Sequence, residues 1–225
     1  MLLFRQIYCA KFYSSSFISS FHAHLFSLQA ILKTNKWKKD YNVAGLTEAH
    51  QSIKKNLALN KARVLKHRDM QGRPVVVIPA RNHDASTREI EELTQFIVYC
   101  LVSCQNFFAQ TTCGLRLLVS NLQEEASKKC FEDVVDNLCI VFDLKNFSLS
   151  CMDYPLIKNL IWLLSRHYPE RLGVCLICNY PTVFSGCWAV IRGWLDENTS
   201  SKVVFVSSEE QLCQYLIPDI LPADL

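Results

Sequence analysis

One stretch limits the folds open to this chain more than any other. From Leu138 to Val206 it reads strand, helix, strand, helix, strand. The strands are Leu138-Cys-Ile-Val-Phe-Asp143, Val174-Cys-Leu-Ile-Cys178 and Lys202-Val-Val-Phe-Val206. The helices are Tyr154 to His167 and Val183 to Leu195. Continuous apolar runs joined by helices predict a parallel sheet covered on both faces, with right-handed crossovers. Asp153 is placed to cap the first helix, with Pro155 in its first turn. Leu156, Leu160, Leu163 and Leu164 form its apolar face, and Pro169 ends it.

Upstream, Ala62 to Lys66 and Pro74 to Ile78 read as two further strands, with Asp69-Met-Gln-Gly72 as the turn between them. Pro74 opens its strand, where a missing N–H is tolerated. Thr87 to Leu101 reads as a helix, with Thr87 as N-cap and Ile90, Leu93, Ile97 and Leu101 on one face. Val102 to Gln123 has no acidic residue, a turn-like Thr-Thr-Cys-Gly114 and no clear period. It is expected to be a loop or a helical insertion. Glu124 to Lys129 resumes a helical surface, with Cys130, Phe131 and Val134 inward.

The N-terminal region differs. Met1 to Lys39 holds no Asp or Glu. Residues to about Ser20 look unlike a packed element and admit a presequence reading. Leu25, Leu28 and Leu32 begin an amphipathic helix toward Trp37, and Leu46 to Lys61 is a further helix or connection. The expected organisation is therefore a divergent extension over 1–24, a helical lead-in over 25–61 and an α/β domain over 62–225, with 102–123 as an unusual insertion.

The totals exclude several classes. A net charge of +3 over 225 residues is too small to argue for nucleic acid. The eleven cysteines are odd in number, scattered and mostly inside apolar runs, which fits reduced core thiols. Cys175 and Cys178 form a CxxC, but on a strand they point to opposite faces and do not share a metal. No nucleophile elbow, zinc motif, phosphate loop or dinucleotide fingerprint is present. Asp143 at a strand end reads as a loop-capping carboxylate, and His167 as a surface residue. The expectation is a binder rather than an enzyme, with no cofactor and no metal.

The helix Val183 to Leu195 is unusually apolar. Phe184, Trp188, Ile191 and Leu195 make one stripe; Val183, Cys187, Val190 and Trp194 make another. Either protein covers both stripes, or one faces a cavity for acyl chains and the other meets a membrane when the helix opens as a lid.

Several stretches, in order, resemble the CRAL-TRIO family of lipid-binding and lipid-transfer domains. They are Lys36-Trp-Lys-Lys-Asp-Tyr41, Asp69-Met-Gln-Gly-Arg-Pro-Val75, Val141-Phe-Asp-Leu-Lys145, Tyr168-Pro-Glu-Arg-Leu-Gly173 and Asn179-Tyr-Pro181. Trp188 with Leu195-Asp196, Thr199 with Lys202, and Ile217-Pro-Asp-Ile-Leu-Pro222 complete the set. The resemblance implies an α/β fold: a mostly parallel mixed sheet of about five strands flanked by helices. It also implies a hydrophobic lipid cavity closed by a gate helix. Phe184, Trp188, Ile191, Trp194, Leu195 and Val141 are the implied gate and cavity residues. Glu170, Arg171, Thr199 and Lys202 match the phosphatidylinositol-transfer branch and are implied headgroup contacts.

The expected ligand is a phospholipid, phosphatidylinositol or a phosphoinositide, bound by a cytoplasmic monomer that touches membranes transiently. The alternatives are a regulatory membrane- or protein-interaction module on the same fold, or a carrier of another hydrophobic ligand. Leu138, Ile140 and Val76 stand where a phosphatidylcholine signature has hydroxyls, which argues against that headgroup. Asn146 replaces a usual Gly. The family's basic first helices are missing, and relatives continue past Leu225. These departures suggest an alternative isoform or a piece of a longer protein.

Overall fold

The computed structural model describes the backbone of residues 17–119 and 137–217, with side chains over 28–104 and 137–217. The expectations for Met1 to Ser16, for Gln123 to Val134 and for the Pro218–Pro222 part of the last motif lie outside the described residues. The chain divides into two compact units, one ending at Gly45 and the other starting at Leu46.

The first unit contains helix α1, Phe17–Asp40, followed by a short 3-10 turn, Val43–Gly45. The helix begins eight residues before the expected Leu25. Nothing between Phe17 and Asp40 is Gly or Pro, so no local breaker stops it earlier. Its expected apolar stripe is not covered: Leu28 and Leu32 are exposed. Trp37 stacks on Tyr41 with centroids 5.2 Å apart.

The second unit is built on five strands in the order β1-β2-β3-β4-β5. They are β1 (Arg63–Arg68), β2 (Pro74–Pro79), β3 (Leu138–Asp143), β4 (Leu172–Cys178) and β5 (Val203–Val206). Only β1 runs antiparallel; β2 to β5 are parallel. The expected α/β architecture is therefore observed. The β1–β2 turn is set by Asp69. Its Oδ1 accepts from the N–H groups of Gln71 and Arg73 at 3.0 and 2.8 Å, and its Oδ2 accepts from Arg73 Nε at 2.5 Å. Gly72 supplies the left-handed residue the turn needs, at φ 79°.

Among the described residues this unit has six α-helices: α2 (Gln51–Ala58), α3 (Ile90–Val119), α4 (Tyr154–His167), α5 (Phe184–Arg192), α6 (Glu197–Ser201) and α7 (Glu209–Leu212). Helix α4 has the expected bounds and the expected cap, Leu156 N–H donating to Asp153 Oδ1 at 3.0 Å. Helix α3 corrects two expectations. It starts at Ile90, so Thr87 is not its cap, and Ile90 itself is exposed. It also runs unbroken through Val102 as far as Val119, so of the two alternatives for 102–123 the described part is helical and not a loop. Gly114 is its one glycine, and a single glycine costs about 1 kcal/mol relative to alanine, too little to break a helix of this length.

The pleat separates the sheet's residues cleanly. Val75, Val77, Cys139, Val141, Leu176 and Cys178 face one side, where they pack with Leu212 and Leu216. Val76, Ile78, Ile140, Phe142, Cys175 and Ile177 face the other. The CxxC pair is thus split between faces as expected. Burial pushes the Cys175 thiol up to about 12 and the Cys178 thiol to about 11, which keeps both protonated and inert.

Candidate functional site

The second face of the sheet does not close on a solid core. Between it and helices α3, α4 and α5 lies a cavity of about 580 Å³. Its floor is the alternate set of strand residues. Phe96, Ile97 and Cys100 of α3 and Leu156, Leu160 and Leu164 of α4 form walls. The α4 stripe reads in the sequence only as an apolar face. Three of its four leucines line the cavity, and only Leu163 is fully buried. Periodicity identifies an inward face but cannot say whether that face meets protein or a void. The hydroxyl-free positions Val76, Leu138 and Ile140 all lie on the cavity lining.

Helix α5 closes one side. Phe184, Trp188 and Ile191, with Leu195 beyond the helix end, line the cavity as expected. An aromatic cluster seats the helix. Phe205 receives Trp188 edge-on at 5.3 Å, and Phe184 meets Phe147 edge-on at 5.5 Å. The outer stripe divides. Cys187 is buried, whereas Val183 and Val190 are exposed. Protein therefore does not sandwich the helix.

Two expected gate or cavity residues lie elsewhere. Val141 is fully buried on the opposite face of the sheet, because its strand position has the other parity. Trp194 lies past the end of α5 and outside the cavity lining. It packs edge-on against Tyr154 at 5.7 Å, with Lys158 Nζ 4.5 Å above its ring.

The four headgroup candidates converge at one rim. Glu170 and Arg171 immediately precede β4, while Thr199 and Lys202 precede β5. Adjacent parallel strands bring their leading residues together, and all four line the cavity. Lys202 Nζ lies 3.2 Å from Glu170 Oε2. Glu170 is mostly exposed and Lys202 largely covered. Thr199 is engaged locally: its N–H and hydroxyl donate to the Asp196 carboxylate at 2.8 and 2.6 Å, capping α6. Its hydroxyl oxygen retains acceptor capacity. The Tyr168 hydroxyl is pushed up to about 12 by burial, with Arg171 opposing.

Local backbone geometry explains the motif around this rim. Glu170 occupies the left-handed region at φ 56°, where non-glycine residues are strained. Gly173 is required for a close approach: a Cβ there would sit 2.7 Å from both Arg73 Cδ and Asn137 Oδ1. Asn146 and Asn179 are also left-handed, at φ 59° and 54°. Asparagine tolerates that conformation better than most residues, which accounts for Asn146 where Gly was expected. Asp143 is the loop-capping group anticipated. It accepts from Lys145 N–H at 3.0 Å, from Asn179 Nδ2 at 2.8 Å, and from Arg81. His167 departs from its expected surface position. It is buried, edge-on to Trp162 at 5.4 Å.

A second polar group on the cavity lining escaped the sequence reading. Lys61, His83 and Asp153 lie on it, at the opposite edge of the sheet from Glu170 and Lys202. Asp153 was recognised only as a helix cap. Nothing in the local sequence connects it with Lys61, 92 positions earlier.

The CRAL/TRIO domain description matches residues 60–225. The chain belongs to this family. It is 28% identical over 203 residues to a CRAL-TRIO domain-containing protein of Schizosaccharomyces pombe, covering 86% of this chain and 40% of that protein. It is 27% identical over 175 residues to the phosphatidylinositol transfer protein CSR1 of Eremothecium gossypii, covering 78% and 35%. It is 25% identical over 204 residues to the Sec14 cytosolic factor of Schizosaccharomyces pombe, covering 88% and 68%. Against the first two of these relatives it spans 40% or less of their length. The crystal structure of Sfh5 shares the fold, with a TM-score of 0.63 over 95% of this CRAL-TRIO chain and 66% of that one, at 16% identity. Among the described residues, no helix is long and apolar enough to cross a membrane.

Proposed function

We propose that this CRAL-TRIO chain binds a phospholipid, phosphatidylinositol or a phosphoinositide, and moves it between membranes or presents it there. The observation that carries the reading is an apolar cavity of about 580 Å³ with Glu170 and Lys202 meeting at its rim. Burying an acyl chain against that lining supplies binding energy of roughly 25 cal/mol per Å² of apolar surface. The rim supplies selection. Lys202 and Arg171 attract a phosphate, the Glu170 carboxylate accepts from an inositol hydroxyl, and the Thr199 hydroxyl oxygen can accept from another.

The Glu170–Lys202 pair is well placed to give way. An exposed ion pair contributes about 1 kcal/mol or less, so exchanging it for a phosphate contact costs little. Helix α5 acts as the gate, and its exposed Val183 and Val190 provide the surface that first meets a bilayer. This role requires no covalent chemistry. The lipid-binding unit is residues 62–225, and its contact with membranes is peripheral. The relative named for phosphatidylinositol transfer supports the inositol assignment.

The test is mass spectrometry of lipids extracted from purified protein, repeated for Glu170→Ala and Lys202→Ala. Inositol lipids are expected in the wild type. Each variant is expected to lose them while keeping its fold by circular dichroism. Undiminished inositol lipid in both variants would overturn the headgroup assignment. A folded wild type with no extractable lipid would overturn the carrier role.

A further inference from the structure

The cavity has two polar ends. In a parallel sheet, residues preceding the strands lie at one edge and residues following them at the other. Glu170 and Lys202 mark the leading edge of β4 and β5. His83 follows β2, and Asp153 follows β3. Lys61 precedes β1, but β1 is antiparallel, and Arg63 pairs with Val77 near the end of β2. Lys61 therefore joins His83 and Asp153 at the trailing edge. Strands of six residues separate the two ends by about 20 Å.

The trailing end carries a lysine with no direct ion-pair partner among the described residues. The Asp153 carboxylate is fully engaged. It accepts from Arg88 Nε at 2.5 Å and Nη2 at 2.9 Å, from Leu156 N–H at 3.0 Å, and from His83 Nε2 at 3.1 Å. Glu92 pairs with Lys55 at 2.5 Å, and Asp84 is exposed and bound by Ser86. Among the described residues, Lys61 forms no ion pair. Lys61 is half-buried beside the apolar cavity, and burial holds it below the ordinary lysine value; Asp84, Asp153 and Glu92 offset its charge only from beyond ion-pair distance. His83 Nε2 must carry the proton it donates to Asp153, which leaves Lys61 as the donor available to an anion.

We infer that Lys61 is a second ligand-binding pole of the cavity, taking the small anionic head of a single-chain lipid. Its tail runs along the strand floor toward the Glu170–Lys202 rim. The inference rests on the reading that the cavity takes acyl chains, and not on the inositol assignment. The head chemistry is a carboxylate or a phosphate monoester. The half-buried setting favours the carboxylate of a long-chain fatty acid, which needs no room for a sugar. An anion there would offset the desolvation that Lys61 already bears in the free protein.

The test uses the full chain at pH 7.5 with a fluorescent polyene fatty acid and its methyl ester. The acid is expected to bind the wild type at least tenfold more tightly than the ester. Lys61→Met should abolish that preference, and Lys61→Arg should keep most of it. Equal binding of acid and ester to the wild type overturns the inference, as does an acid preference that survives Lys61→Met. Lysophosphatidic acid as competitor separates the two head chemistries. Lys61-dependent displacement by it identifies phosphate, and acid binding that it does not displace identifies carboxylate; either supports the pole. Phosphatidylinositol uptake by the wild type is measured in parallel. Its failure bears on the inositol reading alone, because the acid–ester comparison does not involve the Glu170 rim.

Discussion

Glu170 has a backbone that its own side chain disfavours. At φ 56° it holds a conformation that costs an L-residue roughly 1–2 kcal/mol and a glycine far less. The strain brings the carboxylate to the rim, 3.2 Å from Lys202. Stability and ligand selection should therefore separate at this position. Glu170→Gly is expected to raise stability by about 0.5–1 kcal/mol, reduced from the full strain by the extra freedom glycine gains in the unfolded chain. The same variant should lose inositol lipid. Urea denaturation and lipid extraction on one preparation check both halves. A variant less stable than the wild type would mean that the carboxylate's contacts outweigh the backbone strain. By contrast, Asn146 and Asn179 relieve comparable geometry with the residue type best suited to it, and Asn179 also binds Asp143.

At the scale of elements, helix α5 is asymmetric. Its inner residues Phe184 and Ile191 are buried, as is Cys187 of the outer stripe, while Val183 and Val190 leave about half their surface exposed, 50% and 46%. If that outer surface inserts into bilayers, Val190→Asp should reduce flotation with anionic liposomes several-fold. The melting temperature should stay nearly unchanged, since an exposed substitution away from special contacts shifts stability by about 0.5 kcal/mol or less. Equal flotation of variant and wild type would place membrane contact on another surface. Elements with strong periodic signals, such as α4 and strands β2 to β5, were readable from the chain. Helix α3 was readable only in part: uncharged residues and a Thr-Thr-Cys-Gly run resemble a turn, yet the helix continues through them. Val141 was assigned to the cavity by resemblance, although strand parity relative to Ile140 and Phe142 already placed it on the other face. The rim was legible because its residues form a recognisable motif. The Lys61–His83–Asp153 group was not, since only the antiparallel turn of β1 brings Lys61 to that edge.

For the molecule as a whole, the trailing edge of the sheet is both a candidate ligand site and a structural tie. Asp153 caps α4, while Arg88 and His83 reach it from the segment between β2 and α3. Burial, then the nearby charge of Lys61, hold the His83 imidazole below its ordinary value of 6.5, despite the opposing hydrogen bond to Asp153. A histidine whose affinity for protons falls on folding leaves the unfolded chain binding more protons. Its contribution to stability is therefore complete above about pH 6.5 and is lost as pH falls below that value. Burial opposes ionisation of Asp153, but hydrogen bonds from Arg88, Leu156 N–H and His83 outweigh it and hold the carboxyl below the usual range. Its contribution is lost only at more acidic pH, so the two groups act in separate windows. Melting temperature should thus drop between pH 7.5 and 5.5, and His83→Gln, which keeps a donor near Asp153 but does not titrate, should show a smaller drop. An identical drop in both proteins would assign the acid sensitivity to other groups. If a fatty acid occupies the trailing edge, its carboxylate beside Lys61 should also favour protonated His83. Saturating fatty acid should then narrow the difference between the two proteins, linking occupancy of the cavity to the pH response of the fold.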